Sequence, residues 1–350
     1  MLKTIWIVFG ILFSIVSFFP LINSPHWLFR LFDFLRLQLC AALILLLIIT
    51  PFLSVSTSII GLLTIFLIVI SIVYQLSVIL PYFPQSKNNY ATSKHSIVAL
   101  SINVKQNNQN YEKLIKIINR VQPDILLTME TNKKWEEKLE EIEDNYNSIV
   151  RVPKENRYGM HLYTKLPLKK SKVHYLISEE HPSIEVLLTD SKNDDFTFWG
   201  IHPPPPSPTE KPTSKQKDAE LMKVAKFAKE TNTPMLVSGD FNNVCWSKAS
   251  KLFSKVSNLK DARLNRGIYS TFPAYFRILG FPIDLLFHSN SITINKIKVL
   301  TSIGSDHLPL LFTFHINNKT DTNKKLNTET KNLVNQKIKE GEEAAEVENE

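Results

Sequence analysis

The sequence predicts an N-terminal α-helical transmembrane region followed by an α/β (α+β) two-sheet β-sandwich with flanking helices. Three observations lead there. Apart from three basic residues and one acid, residues 1–83 are uncharged and mostly apolar. From about residue 94 the pattern changes to many short apolar strands separated by few helices, which suits packed sheets better than a doubly wound parallel sheet. Several of those strands end in a carboxylate, an amide or an imidazole, as at 237–243, "VSGDFNN".

The first apolar stretch, 4–22, holds 19 uncharged residues, about the length that crosses ~30 Å of hydrocarbon as a helix. From Leu37 to Ser86 no residue is charged, which is long enough for two further spans, at about 37–54 and 58–80, with "PFLSVSTS" at 51–58 as the turn. A cleaved signal peptide is the other reading of the first span. No small-x-small cleavage site follows it, and Pro20 interrupts its end. The spans carry no ionisable residue in their interiors, so no polar transport path is visible. Between spans one and two, "SPHWLFRLFDFLR" (24–36) alternates apolar and aromatic residues with Arg30, Asp33 and Arg36, the pattern of an interfacial amphipathic segment. Three spans put this loop and the following domain on one side. Arg30, Arg36, Lys87 and Lys94 flank that side against Lys3 on the other, which favours a cytoplasmic catalytic domain.

A short linker is expected at 84–93 and a soluble domain at 94–317. Strands are expected at 96–104, 125–130, 159–165, 183–190, 196–202, 234–240, 283–289, 292–300 and 308–316, with helices at 110–122 and 215–231. The remaining 318–350 is polar and charged, and reads as a disordered tail. The chain carries a net +8, of which the first 83 residues hold +2 and residues 319–350 hold −2. The +8 that remains lies in the middle, which favours anionic partners. Cys40 and Cys245 cannot by themselves form a metal cluster.

The chemistry gathers at strand ends: Asn103, Glu130, His202, Asp240, Asn242, Asp284, Asp306 and His307. Taken singly, each has a structural explanation as a turn residue or a helix cap. Taken together, they combine carboxylates for a hard divalent cation, amides for phosphate oxygens and imidazoles for managing protons.

The segments "GDFN" (239–242), "IDLLF" (283–287) and "SDHLP" (305–309), with Glu130 and Asn103 before them, resemble in order and spacing the endonuclease/exonuclease/phosphatase superfamily. The resemblance covers 94–317 and implies a two-sheet sandwich with metal-dependent hydrolysis of phosphodiesters or phosphomonoesters. It implies Glu130 as the main ligand of Mg²⁺ or Mn²⁺, with Asn103 close by and Asp306 as a second acid near the metal. It further implies Asp240 as the group that orients or deprotonates water and Asn242 as an amide on a phosphate oxygen. His202 and His307 would face the phosphate, with Asp284 as the partner that fixes His307. "HPPPP" (202–206), then a helix, then "GDFN" looks like a membrane-anchored bacterial branch, hence a multi-pass inner-membrane protein. Substrates open under this resemblance are nucleic acid, a phospholipid headgroup or a small phosphoester. A catalytically degenerate membrane-tethered scaffold of the same fold is the alternative.

Two features depart from the family pattern. Lys105 stands where many nucleases of the superfamily carry a second carboxylate, and insertions for gripping duplex DNA are not evident. The loops 151–159 and 263–281 are the candidates for substrate contact. In the second, Arg263, Arg266 and Arg277 are interleaved with Tyr269, Phe272, Tyr275 and Phe276. This loop suits stacking on bases, dipping into a membrane surface, or packing under the strand that follows.

Overall fold

The computed structural model describes residues 1–85, 96–317, 319 and 325–349. The expected linker at 84–93 falls mostly outside these. Four helices open the chain: α1 (Leu2–Ser17), α2 (Trp27–Phe34), α3 (Arg36–Ile49) and α4 (Ile59–Ile79). With their 3₁₀ extensions, three segments are long and apolar enough to cross a membrane: Leu2–Leu21, Arg36–Leu53 and Ile59–Tyr82. They agree closely with the expected spans. The three helices pack on one another around Trp6, Leu43, Val55, Ile68 and Ile72. Their outer faces leave Ile48, Ile60, Phe66 and Val73 exposed, an arrangement that water penalises and hydrocarbon does not.

The remaining elements, in chain order, begin with β1 (Ile97–Asn103), α5 (Tyr111–Val121), β2 (Ile125–Met129) and α6 (Lys133–Leu139). They continue with β3 (Ser148–Val152), β4 (Met160–Thr164), β5 (Leu168–His174), β6 (Ser183–Thr189) and β7 (Asp195–Ile201). Then follow α7 (Lys215–Glu230), β8 (Met235–Asp240), α8 (Lys248–Ser257) and β9 (Lys260–Asp261). The last are β10 (Asp284–His288), β11 (Ile292–Val299), β12 (Leu310–Ile316) and α9 (Thr328–Asn349).

Two six-stranded sheets form, in the orders β11-β12-β1-β2-β4-β3 and β5-β6-β7-β8-β10-β9. Their facing sides bury Leu127, Leu162, Val186, Phe198, Leu236, Leu286 and Phe312 in one core. Helices α5 and α6 cover the outside of the first sheet through Leu114, Ile118, Trp135 and Leu139. Helices α7 and α8 cover the second through Leu221, Val224, Phe253 and Val256.

Topology alone then gathers the strand-end residues. Each sheet has one parallel pair at its centre, β1/β2 and β7/β8, each joined through a helix. Parallel strands end at the same edge, so the residues at or just past their ends, Asn103, Glu130, His202 and Asp240, gather there. The antiparallel neighbours of these pairs run the other way and begin at that edge. Asp284 stands opposite Asp240 in the β8/β10 register, and β12 starts opposite Ser101, which leaves Asp306 and His307 just outside the sheet. Gly239 has φ +145°, and a Cβ there would lie 2.0 Å from the Ile201 carbonyl, so only glycine lets β8 run against β7 one step before Asp240.

Sequence reading overlooked β3, β5 and β9 and the short helices α6 and α8. β3, β5 and β9 are edge strands, and β5 turns three lysines outward in "LKKSKVH", which breaks the apolar pattern a buried strand shows. The tail is a clear correction: residues 328–349 form α9, packed along α7, not a disordered segment. Val334, Gly341 and Ala345 are buried there with Ile338 half-buried between them, at helical spacing. Lys337 pairs with the buried Asp218 of α7 at 2.9 Å. The stripe is thin and its residues small, so it was hidden among charges.

Gly341 is where the two helices approach most closely: a Cβ would meet the Ala219 Cβ at 2.2 Å and the Lys215 carbonyl at 2.7 Å. Gly341→Leu should therefore cost about 1–3 kcal/mol of α9 docking. Trypsin cleavage after Lys337 and Lys339 should accelerate accordingly, while the rest of the chain keeps its wild-type melting behaviour. Cleavage at the wild-type rate would contradict this packing.

Candidate active site

The site is built around one amide. The Asn103 Nδ2 donates to Glu130 Oε1 at 2.9 Å and to Asp240 Oδ2 at 3.2 Å. Asn103 and Glu130 belong to the first sheet and Asp240 to the second, so this side chain ties the two sheets together where their cores end. The Asn103 carbonyl Oδ1 is in turn fixed by the Lys105 backbone N–H at 3.0 Å. The Glu130 Oε2 accepts from the Gln106 backbone N–H at 3.1 Å.

Asp240 is the hub of the second half. Its Oδ1 accepts from the Asn242 backbone N–H at 2.9 Å. Its Oδ2 lies 3.4 Å from His307 Nε2 and 3.7 Å from His202 Nε2. The other ring nitrogen of His307, Nδ1, meets Asp284 Oδ2 at 2.9 Å. His307 is thus an imidazole held between two buried carboxylates. Phe272 covers its ring, with ring centres 5.0 Å apart. Ser305 sets the approach of this segment: its hydroxyl donates to the Asn103 carbonyl at 2.8 Å and accepts from the His307 N–H at 3.0 Å.

Electrostatics follow from this burial. Burial pushes the Glu130 carboxyl up, and the Asn103 amide offsets part of that. Burial raises Asp240 as well, against the opposing pull of His307. For His307 burial acts downward, yet the Asp284 and Asp240 carboxylates override it and hold the imidazole up at about 10. His307 is therefore an imidazolium at neutral pH. His202 is lowered by burial, so it sits beside Asp240 as a neutral ring and not as an ion pair.

Three site residues adopt left-handed backbone: Lys105 (φ 59°), Glu130 (φ 61°) and Asn242 (φ 47°). Such conformations cost about 1–3 kcal/mol each and persist where surrounding contacts impose them. Here the hydrogen bonds from Lys105, Gln106 and Asn242 to the neighbouring side chains do so. The site opens into a cleft of about 590 Å³ lined by Glu130, Asp240, Asn242, Asp306 and His307, a size that suits a small ligand or part of a larger one.

Of the residues expected from sequence, Asn103, Glu130, His202, Asp240, Asp284 and His307 meet directly. Asp306 is joined through Lys105, at 3.1 Å, so the position that lacks a second carboxylate carries a cation paired to the neighbouring acid. The Asn242 side chain donates to the Pro203 carbonyl at 3.0 Å, which ties the proline segment to the loop after β8. Arg263, expected in a substrate-contacting loop, is fully buried instead: it donates to the Asp284 carbonyl and to Ile268. Lys217 of α7 is also buried and holds the Asn242 carbonyl at 3.3 Å. Nothing in the spacing of Lys217 or Arg263 marks them; both support the site from behind. Arg30, Leu31 and Phe34 of α2 line the cleft, a role their amphipathic pattern did not suggest.

The Glu130, Asp240, Asp284 and Asp306 carboxylates face two cations, Lys105 and the His307 imidazolium. This oxygen-rich, net negative set suits a hard divalent cation such as Mg²⁺ or Mn²⁺. Ligand atoms of Asp240, Asp284 and His307 lie within 4.8 Å of one another. Those short distances are already accounted for by the imidazolium between its two carboxylates. Glu130, at the cleft and without an imidazolium pressed against it, is a carboxylate raised by burial that a cation would relieve.

The sequence model of the Endonuclease/Exonuclease/phosphatase family matches residues 100–307. A UPF0294 protein from Vibrio campbellii is 33% identical over 101 residues, covering 29% of this chain and 34% of that protein. The matched part is thus about a third of that relative's length. Among solved structures, an endonuclease/exonuclease/phosphatase from Beutenbergia cavernae superposes with a TM-score of 0.53 at 14% identity, covering 64% of this chain and 72% of that one. A second, from Bacteroides vulgatus, gives 0.52 at 17% identity, covering 64% of this chain and all (100%) of that one. These structures share the two-sheet fold.

The position of His307 has a pH signature. Its folded value lies above the ordinary 6.5, so the stability it contributes is complete below pH 6.5 and is lost as pH rises through about 10. In chelator-treated protein, an NMR titration of the His307 ring should show a midpoint near 10. In Asp284→Asn the midpoint should fall by about one to three pH units. A wild-type midpoint near 6.5, or one unmoved by Asp284→Asn, would contradict the arrangement.

Proposed function

The chain belongs to the endonuclease/exonuclease/phosphatase family, and from that membership we propose that it is a membrane-anchored, divalent-metal-dependent phosphoesterase. It hydrolyses a phosphodiester or phosphomonoester by in-line attack of water. The observation that carries this reading is the Asn103 clasp: one amide holds Glu130 and Asp240, from different sheets, at the floor of an acidic cleft.

In this reading Glu130 holds Mg²⁺ or Mn²⁺, with Asn103 beside it and Asp306 within the same cleft. When bound, the ion would supply positive charge to the ester phosphate. The chain's own residues supply the rest. Asp240, raised by burial, orients water and accepts its proton. The His307 imidazolium faces the phosphate and stabilises the charge that builds on its oxygens, a stabilisation strengthened by the low dielectric of a buried site. Asp284 keeps that imidazole charged and fixes its ring. His202, neutral and beside Asp240, offers a hydrogen bond to a phosphate oxygen. The Asn242 loop, anchored by Lys217 and Pro203, frames the phosphate pocket. Water's oxygen bonds to phosphorus, the ester oxygen leaves, and the proton balance closes through solvent.

The three apolar spans anchor the enzyme in a membrane, and the positive residues flanking the catalytic side favour the cytoplasm. The substrate belongs to nucleic acids, phospholipid headgroups or small phosphoesters. The Lys105–Asp306 pair supports a single-ion site, because the position that would help hold a second ion carries a cation.

Full-length protein should hydrolyse bis(p-nitrophenyl) phosphate or p-nitrophenyl phosphate with Mg²⁺ or Mn²⁺ and lose that activity in excess EDTA. His307→Ala and Asp284→Ala should each lower turnover by about 10²–10⁴-fold. The double variant should lose little more than either, because residues acting as a unit are non-additive. Full activity in EDTA would refute the metal requirement, and multiplicative losses would show that His307 and Asp284 act separately.

A further inference from the structure

The cleft has a second wall that the phosphoester reading leaves unexplained. That wall is α2: Trp27, Arg30, Leu31 and Phe34 face the same space as Glu130, Asp240 and His307. Helix α2 is fastened to the catalytic domain. The Trp27 N–H donates to the Pro212 carbonyl at 3.0 Å, the Ser214 N–H to the Pro25 carbonyl at 2.8 Å, and the Trp246 indole to the Asp33 carbonyl at 2.7 Å. A single residue, Leu35, separates α2 from α3, whose segment is apolar enough to cross a membrane. The wall of the cleft is therefore continuous with the point where the chain enters the apolar layer.

An exposed apolar loop lies beside this wall. Tyr275, Phe276, Ile278 and Leu279 are 75%, 59%, 97% and 47% exposed, a cluster unusual for a surface in water. The loop is tied to α3 by the Gln38 amide, which donates to the Leu279 carbonyl at 3.0 Å. Phe281 packs edge-on against Phe34, with ring centres 5.6 Å apart. At its other end the loop reaches the chemistry: the Ala274 N–H donates to the Asp306 carbonyl at 2.7 Å, and Phe272 covers His307. One continuous surface thus runs from the apolar helices over the loop and α2 to the catalytic carboxylates.

From this surface we propose that the substrate is a membrane phospholipid phosphoester, taken from the bilayer with its phosphate at Glu130, Asp240 and His307 and its acyl chains along Trp27, Leu31 and Phe34. This inference rests on the phosphoesterase reading above. Charge supports it. Arg30 lines the cleft on the helix that leads into the apolar layer, with Asp218 3.6 Å from its guanidinium and no hydrogen-bond partner on its Nε, so it brings positive charge to the wall along which an anionic headgroup would lie. The lysine and arginine side chains of the cleft are each paired with an acid, Lys105 with Asp306 at 3.1 Å, Arg157 with Glu210 at 3.6 Å and Arg30 with Asp218 at 3.6 Å, so they form no free basic track. A polynucleotide is held instead by a track of cations that neutralise successive phosphates. Tyr275, Phe276 and Ile278 would insert at the headgroup boundary and keep the cleft mouth against the lipid surface. The step is a hydrolysis: water's oxygen bonds to phosphorus, one ester P–O bond breaks, and the departing oxygen takes a proton.

The test uses the full-length chain with Mn²⁺, reconstituted into vesicles of phosphatidylethanolamine, phosphatidylglycerol and phosphatidic acid. It is run beside the water-soluble glycerophosphoglycerol, bis(p-nitrophenyl) phosphate and single-stranded DNA at matched phosphate concentration. Vesicle lipid should turn over at least about tenfold faster than glycerophosphoglycerol or DNA. The Phe276→Asp/Ile278→Asp double variant should lose at least about tenfold on vesicles while keeping its bis(p-nitrophenyl) phosphate rate. Arg30→Gln should weaken vesicle turnover more than turnover of the soluble diester. Hydrolysis of soluble esters or DNA with slower turnover of vesicle lipid would overturn this inference and leave the phosphoesterase reading standing. An equal loss on both substrates in the loop variant would also overturn it. Hydrolysis of nothing under any metal would sink both.

Discussion

The Asn103 side chain is the contact on which the rest depends. A sandwich of two sheets has no intrinsic reason to align the edge of one with the edge of the other. The amide imposes that alignment by donating to a carboxylate from each. With its carbonyl fixed by the Lys105 N–H, it has one orientation available. Backbone that would otherwise relax is held around it, including Lys105 and Glu130 in left-handed conformations. A buried amide with all of its partners in place is specific because every alternative leaves a polar group unsatisfied, at about 1–3 kcal/mol each.

Collecting buried carboxylates at one place is unfavourable without compensation, and the fold provides it in layers. The His307 imidazolium sits between Asp240 and Asp284. Lys105 balances Asp306 at the rim. Behind the site, Arg263 and Lys217, both fully buried, hold the main-chain carbonyls of Asp284 and Asn242. Burial pulls Lys217 down to about 8, so its charge is retained at a cost that the neighbouring Asp218 helps to offset. Asp218 also receives Lys337 from α9 and Arg30 from α2. Helices α9 and α2 and the Asn242 loop therefore meet one ionic cluster on α7.

Much of this was legible in the sequence because chemistry left a mark on pattern. Apolar runs that stop at "GDFN" or start at "IDLLF" show a strand and its polar tip together, and the order of the tips fixes which edge they share. The three apolar segments were equally visible, since hydrocarbon demands length and uniformity. Edge strands were not: β3 is short and β5 exposes lysines, the features that protect an edge from pairing. Helix α9 was missed because Val334, Ile338, Gly341 and Ala345 make a stripe too sparse to stand out from nine charged neighbours between 328 and 349. Arg263, Lys217 and Arg30 were invisible as site residues, because each acts on groups more than 20 residues away or lines a cleft made by distant parts of the chain.

The central claim is that the Asn103 clasp prepares one cation site at Glu130, separate from the imidazolium at His307. Electron paramagnetic resonance of Mn²⁺ titrated into the full-length protein tests this most directly, because it counts bound ions without requiring a substrate. The account predicts one saturable site in the wild type, lost in Glu130→Gln and retained in Asp284→Asn. Retention in Glu130→Gln with loss in Asp284→Asn would place the cation among Asp240, Asp284 and His307 and contradict it.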